Sequence, residues 1–233
     1  LINNNFETDI NPDLRSGFIL LIAPSRSYRV ASYIQAAQKL DSRLLIVSDS
    51  KHSLVSAIAT GITVDFGQPD LAFDTILSSI QNREIVAVIA TDDLVVTLSS
   101  RVARALKLAH NEPEATLLTY RKDLARARLQ QQGCNIPAFD ICPVDDIVNR
   151  SKLYQYPVVL KPLMLSGSRG VIRADCADEF IRAAEQIKKI IASGPYSDYE
   201  KQHILVEQFL AGEEIAFDGF VQNGKLIVLA LFD

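Results

Sequence analysis

Several things are scarce in this 233-residue sequence, and each scarcity removes a class of function. There are three cysteines, Cys134, Cys142 and Cys176, at irregular spacing. An odd, scattered set builds neither a disulfide framework nor a zinc motif, and it fits a reducing cytoplasm. The three histidines, His52, His110 and His203, stand singly, which suits surface or packed residues better than a metal cluster. No apolar run approaches bilayer length; stretches such as Leu226–Phe232 are far too short to span. The opening residues, Leu1-Ile2-Asn3-Asn4-Asn5, do not place a charged region before an apolar one, so no secretory signal is read there. Net charge is −4, which gives no bulk attraction for nucleic acid or an anionic membrane. Any polyanion must be held by a local site. Both common nucleotide fingerprints are missing. Where a dinucleotide fold has G-x-G-x-x-G, this chain has Ala23-Pro24-Ser25-Arg26-Ser27-Tyr28, and G-x-x-x-x-G-K-[ST] occurs nowhere.

What remains is ordinary globular material: 48% hydrophobic and 22% charged residues, enough for one large or two small domains. Residues 1–16 are polar and Asn-rich and read as an N-terminal extension. Phe18–Ala23 is a continuous apolar run between Gly17 and Pro24, the mark of a strand covered on both faces. Apolar strands recur at Leu44–Ser48, Ile62–Phe66 and Ile85–Ala90. Helical spacing appears from Val30 to Leu40, at Leu54–Ala59, at Leu71–Ile80 and at Leu94–Leu108. This alternation predicts a Rossmann-like parallel sheet over residues 17–112. Ligands of such sheets sit at the carboxyl ends of strands, which here offer Ser25, Arg26, Asp49, Asp92 and Asp93. Asp92 and Asp93 fit the N-cap of the following helix better than a ligand site.

From Asn111-Glu112-Pro113 the pattern breaks, and residues 113–142 read as a linking helix region, with a helix at Leu124–Gln132 closed by Gly133. Lys122 sits at that helix's start, where the macrodipole does not favour a cation; reaching a bound anion would explain it. Residues 143–233 read as an α+β unit with an antiparallel sheet. Its centre is a hairpin: Val158–Leu160 delivers Lys161, Ser166-Gly167-Ser168-Arg169-Gly170 forms a flexible loop, and Val171–Arg173 returns. Glycines let backbone approach an anion, so the hairpin suits a lid over phosphates; its bland alternative is a surface hairpin with a solvated lysine. A helix over 177–191, a loop over 193–199, strands at His203–Phe209, Glu214–Val221 and Lys225–Phe232, and an Asn223-Gly224 turn complete the unit.

Taken together, these segments resemble the ATP-grasp superfamily of carboxylate–amine and carboxylate–thiol ligases over about residues 18–233. Tyr120-Arg-Lys-Asp-Leu-Ala-Arg126 is similar to the family's helix-opening segment, Tyr156-Pro-Val-Val-Leu-Lys161 to its second nucleotide strand, and Ser166–Val171 to its glycine-rich phosphate loop. Leu205-Val-Glu207-Gln208-Phe209-Leu210-Ala-Gly-Glu-Glu214 is similar to its adenine hinge and ribose segment. The resemblance implies an α/β chain: a Rossmann-like domain, then an ATP-grasp small lid subdomain, with the C-terminal part of the grasp lying past Asp233. It implies nucleotide contacts at Lys122, Lys161, Ser166, Gly167, Ser168, Gly170, Glu207, Gln208, Phe209, Leu210 and Glu214, and substrate contacts at Ser25, Arg26 and Asp92. It implies ATP with Mg²⁺, whose ligands and the catalytic residues are expected past Asp233. The expected partners are ATP and a small-molecule carboxylate, with a homodimer among the admissible assemblies. The expected chemistry is activation of the carboxylate as an acylphosphate for attack by an amine or similar nucleophile. A non-catalytic nucleotide sensor, a carboxylase or kinase-like member, and a doubly wound small-molecule binding protein are the alternatives. The chain opens on Leu1 and stops straight after an apolar strand, the pattern expected of a fragment. On that expectation these 233 residues show no ligase activity and at best weak ATP binding, with a mobile 166–170 loop.

Overall fold

A computed structural model of the chain describes residues 16–50, 61–194, 196–222 and 224–232. The N-terminal extension apart from Ser16, the helix expected over 54–59, His52 and Asn223 of the expected turn lie outside these residues. The first unit runs β1 (Phe18–Ile22), α1 (Val30–Lys39), β2 (Arg43–Ser48), β3 (Gly61–Thr63), α2 (Pro69–Ser79), β4 (Ile85–Ala90) and α3 (Asp93–Ala105). Its strands lie parallel in the order β3-β2-β1-β4. Successive residues of a strand face opposite sides, and β1 is apolar at both parities. Leu20 and Ile22 therefore meet Ala72, Ile76, Val95 and Leu98 on one face, while Leu21 and Ala23 meet Val30 and Ile46 on the other. The third strand is shorter than expected, because Asp65 begins a turn: its Oδ1 accepts from the Gly67 N–H at 2.8 Å and its Oδ2 from Gln68 Nε2 at 3.0 Å.

The linking region is more ordered than its sequence suggests. Two helices, α4 (Pro113–Tyr120) and α5 (Lys122–Gln131), meet at an extended Arg121. Pro113 stands in the first turn of α4, where its missing N–H costs nothing and its fixed φ suits the helix.

The remaining elements are β5 (Phe139–Pro143), a 3₁₀ turn at Val144–Asp146, α6 (Ile147–Arg150), β6 (Val158–Pro162), β7 (Ile172–Ala174), α7 (Ala177–Ala192), α8 (Asp198–Gln202), β8 (His203–Gln208), β9 (Ala216–Gln222) and β10 (Lys225–Phe232). Four strands form an antiparallel sheet in the order β5-β8-β6-β7. Its floor is α7, whose stripe of Phe180, Ala184, Ile187 and Ile191 repeats at helical spacing and packs among Leu160, Ala174 and Val206.

Two expectations need correction here. The expected loop over 193–199 contains the start of α8. Ser197 Oγ accepts from the Glu200 N–H, and Glu200 Oε2 accepts from the Ser197 N–H at 2.8 Å, a reciprocal cap that starts this short helix. Ser197→Ala removes one side of it and is expected to cost about 1 kcal/mol, measured by chemical denaturation. Second, β9 and β10 do not extend the antiparallel sheet. They form a separate two-stranded ribbon, reached from β8 through residues 209–215, which have no helix or strand. Large apolar residues stand exposed on both sides of this ribbon, Val221 and Leu226 on one and Phe220 and Ile227 on the other.

Candidate functional site

Strand and helix periodicity gather four charged side chains at one place. In the β6–β8 pairing, Val159 lies opposite Glu207 and Lys161 opposite Leu205, so Lys161 and Glu207 are diagonal neighbours on one face. Lys161 Nζ donates to Glu207 Oε2. On α5, Lys122 and Arg126 are one turn apart and share a face. Arg126 Nε donates to Glu207 Oε1 at 2.5 Å. Glu207 is 3% exposed. Burial by itself pushes its carboxyl up, but the hydrogen bonds from Lys161 and Arg126 outweigh that and hold it below the usual carboxylate range. The Lys122 amine moves below its ordinary range, through burial first and then the nearby Lys161, while Asp93 and Glu207 oppose the shift. Three cations around one buried carboxylate leave a local excess of positive charge.

Lys122 also ties α5 to the hairpin. Its N–H donates to the Leu163 carbonyl at 2.9 Å, and its Nζ donates to the Leu165 carbonyl. Leu163, Met164 and Leu165 are buried, so the chain is anchored immediately before the exposed loop starts. Within that loop Gly167, Ser168 and Gly170 have φ of 63°, 57° and 73°. A Cβ on Gly170 would also stand 2.8 Å from Pro162 Cγ, so this position requires glycine twice over.

A cavity of about 520 Å³ lies between this loop and the first unit. Its floor is the point where the strand order reverses: the loop after β1 and the loop after β4 diverge there. Arg26, Arg29, Asp92 and Asp93 line it from the first unit, Ser166, Gly167 and Arg169 from the 166–170 loop. Tyr120 and Tyr196 contribute aromatic wall. Burial, reinforced by the Glu200 carboxylate, raises the Tyr120 phenol well above its ordinary range and keeps it protonated. Asp92 occupies the N-cap position of α3 but makes no side-chain cap bond. Instead its Oδ2 accepts from Thr91 Oγ1 at 2.6 Å, and its Oδ1 pairs with Arg29 Nη1 at 3.6 Å. Arg29 Nη1 also reaches the Thr91 carbonyl at 2.8 Å and bridges the two loops. Ser27 Oγ, in the same wall, is buried without a hydrogen-bond partner among the described residues.

Apart from Ser25, the candidate residues thus fall into three groups. Lys122, Lys161 and Glu207 converge in the ion cluster. Arg26, Asp92, Ser166 and Gly167 share the cavity, with Ser168 and Gly170 on the same loop. Ser25 is not among the residues lining that cavity; its N–H donates to Asp49 Oδ1 at 2.7 Å. Gln208, Phe209 and Leu210 leave the end of β8, where the Gln208 N–H donates to the Ala138 carbonyl at 2.9 Å and the Phe209 N–H to the Pro157 carbonyl at 3.2 Å. Leu210 and Glu214 are exposed beyond it. The Phe209 ring carries the Arg173 guanidinium 4.1 Å above its centre. Arg126, Arg29, Arg169 and Tyr196 were not anticipated. The i, i+4 step from Lys122 could have pointed to Arg126, whereas the residues brought in from separate loops carry no local signal.

The chain resembles known proteins in two ways. Residues 154–233 match the model of the ATP-grasp domain. Dapdiamide A synthase of Enterobacter agglomerans is 25% identical over 162 residues, 68% of this chain and 38% of that protein. Among solved structures, the L-amino acid ligase from Bacillus licheniformis superposes with a TM-score of 0.72 at 19% identity, covering 93% of this chain and 50% of that one. An N5-carboxyaminoimidazole ribonucleotide synthetase in its ADP complex gives 0.66 at 12% identity, over 94% and 54%. This chain therefore spans about half the length of each of these two proteins, and less of the synthase.

Proposed function

We propose that this chain, an ATP-grasp protein by the domain at residues 154–233 and by its fold, serves an ATP-dependent ligase that joins a carboxylate to an amine or similar nucleophile. The observation that carries the reading is the convergence of Lys122, Lys161 and Arg126 around buried Glu207, directly beside a loop whose backbone turns at Gly167, Ser168 and Gly170. A site with excess positive charge and a small-residue lid suits the phosphates of a nucleotide. Lys122 and Lys161 hold the phosphates, Ser166, Gly167, Ser168 and Gly170 cover them, and Gln208–Leu210 with Glu214 receive the adenosine end. The synthetase similar in fold was solved with ADP.

In the reaction a carboxylate oxygen attacks the γ-phosphorus, ADP leaves, and an acylphosphate forms. The amine then attacks the acyl carbon, phosphate leaves, and the amine's surplus proton is released. Little covalent work falls to the protein, which positions the reactants and neutralises charge. The cavity beside the lid suits the small substrate: Arg26 and Arg169 offer cations to a carboxylate, and Asp93 offers an acceptor to an amine. The family implies Mg²⁺. Among the described residues no group of three or more His, Cys, Asp or Glu side chains is arranged to hold a metal, so no residue of this chain is assigned to it and no step runs through it.

Calorimetric titration of the chain with ATP and with adenosine tests the reading. ATP is expected to bind at least about tenfold more tightly than adenosine, with the difference shrinking as salt rises. Equal affinity, or no binding of ATP, overturns it.

A further inference from the structure

The position of Glu207 carries an inference beyond nucleotide binding, although it rests on the phosphate site just described. The family resemblance put Glu207 at the adenine hinge. The structure turns its side chain inward, to Lys161 on β6 and Arg126 on α5. We infer that the Glu207 carboxylate is the positioning residue of this site: it orients Lys161 and Arg126 and supplies the buried negative charge that lets three cations share one half-buried cleft.

Three observations support this. Both carboxylate oxygens are committed, one to each cation, so Glu207 fixes their separation as well as their charge. Glu207 is 3% exposed, so water cannot substitute for it. The charged groups acting on Lys122 come from four elements: Asp93 on α3, Arg126 on α5, Lys161 on β6 and Glu207 on β8. Two of these are cations, and burial adds to their effect. Without Glu207, Asp93 is left to oppose them among these groups. A lysine so placed surrenders its proton nearer neutral pH, and a neutral amine does not hold phosphate. The sign follows directly: phosphate binding by such a lysine is lost as pH rises through its lowered midpoint.

The test uses the whole chain and the variants Glu207→Gln and Glu207→Asp. In the first arm, NMR of the lysine Cε signals follows the Lys122 amine. Its midpoint is expected to fall in Glu207→Gln and to stay near the unsubstituted value in Glu207→Asp. In the second arm, ATP and adenosine affinities are measured at neutral and alkaline pH. The unsubstituted chain is expected to change by less than about twofold, and Glu207→Gln to bind ATP about tenfold more weakly at alkaline than at neutral pH, with adenosine unaffected. Glu207→Asp keeps the charge on a shorter stem, so ATP binding weakens at both pH values without the added pH dependence. An unmoved Lys122 midpoint in Glu207→Gln overturns the inference. So does a loss of ATP and adenosine affinity in equal proportion at every pH, which is what a purely structural role would produce. Should Glu207→Gln fail to fold, Glu207→Asp decides: ATP affinity equal to that of the unsubstituted chain overturns the inference. Failure of the nucleotide reading looks different, since ATP then fails to bind the unsubstituted chain while the Lys122 midpoint still responds to Glu207.

Discussion

Replacing Lys161 with alanine is expected to weaken ATP binding about a hundredfold while leaving adenosine within about twofold. Lys161 is the cation that β6 itself delivers, and its neighbours on that strand, Leu160 and Pro162, are buried and hold it in place. A hydrogen bond to a charged group contributes roughly 1.5–3 kcal/mol, and about 1.4 kcal/mol corresponds to tenfold in affinity. A contact at the upper end of that range, in a cleft partly shielded from water, gives about two orders of magnitude. The fold should survive, because Glu207 keeps Arg126 at 2.5 Å and is not left as an unpaired buried charge. Calorimetry with both ligands and a circular dichroism melt would check this. An alanine variant that binds ATP normally would remove Lys161 from the phosphate site. One that loses adenosine in step with ATP would show that the substitution had disturbed the whole pocket.

The second large effect concerns stability. Phe180→Ala should destabilise the lid unit by about 3–5 kcal/mol, a large share of the roughly 5–15 kcal/mol that holds a domain together. Phe180 is fully buried and lies beneath the four-stranded sheet, its ring centre 4.9 Å from that of Tyr154. Its removal takes away both the buried area and the partner ring. The midpoint of denaturant unfolding should drop while far-ultraviolet signal at low denaturant is retained. A loss below about 1.5 kcal/mol would mean that the floor formed by α7 can close over the gap.

Much of this architecture was legible because its signals are local. The double-faced apolar run at Phe18–Ala23 required a covered parallel strand, and the stripe at Phe180, Ala184, Ile187 and Ile191 required a helix on a core. The Val158–Arg173 hairpin could be read from a strand, a small-residue loop and a second strand. Less legible were features decided by distant partners. Nothing within the short α8 segment advertises a helix except its cap, and the loop reading overlooked Ser197 and Glu200. Whether β9 and β10 join the other strands is a question of pairing across the chain, which alternation cannot answer. Glu207 was singled out through the family resemblance, and strand periodicity alone could not say which cations its side chain would meet. Asp92 illustrates the same limit: its cap position was foreseen, whereas its bond to Thr91 and its pairing with Arg29 depend on how two loops diverge.

The segment from Met164 to Arg169 has a consequence for how ligands communicate. It contributes to the wall of the 520 Å³ cavity, and the Leu165 carbonyl within it is held by the Lys122 amine. One stretch of backbone therefore answers to two neighbouring compartments. An anion that draws Lys122 away releases the hinge of that wall, and a molecule that braces the wall from the cavity restrains the lysine. Linkage of this kind is reciprocal by thermodynamic necessity. Occupants of the two compartments should alter one another's dissociation constants by one shared factor, giving heterotropic cooperativity without a change of subunit arrangement.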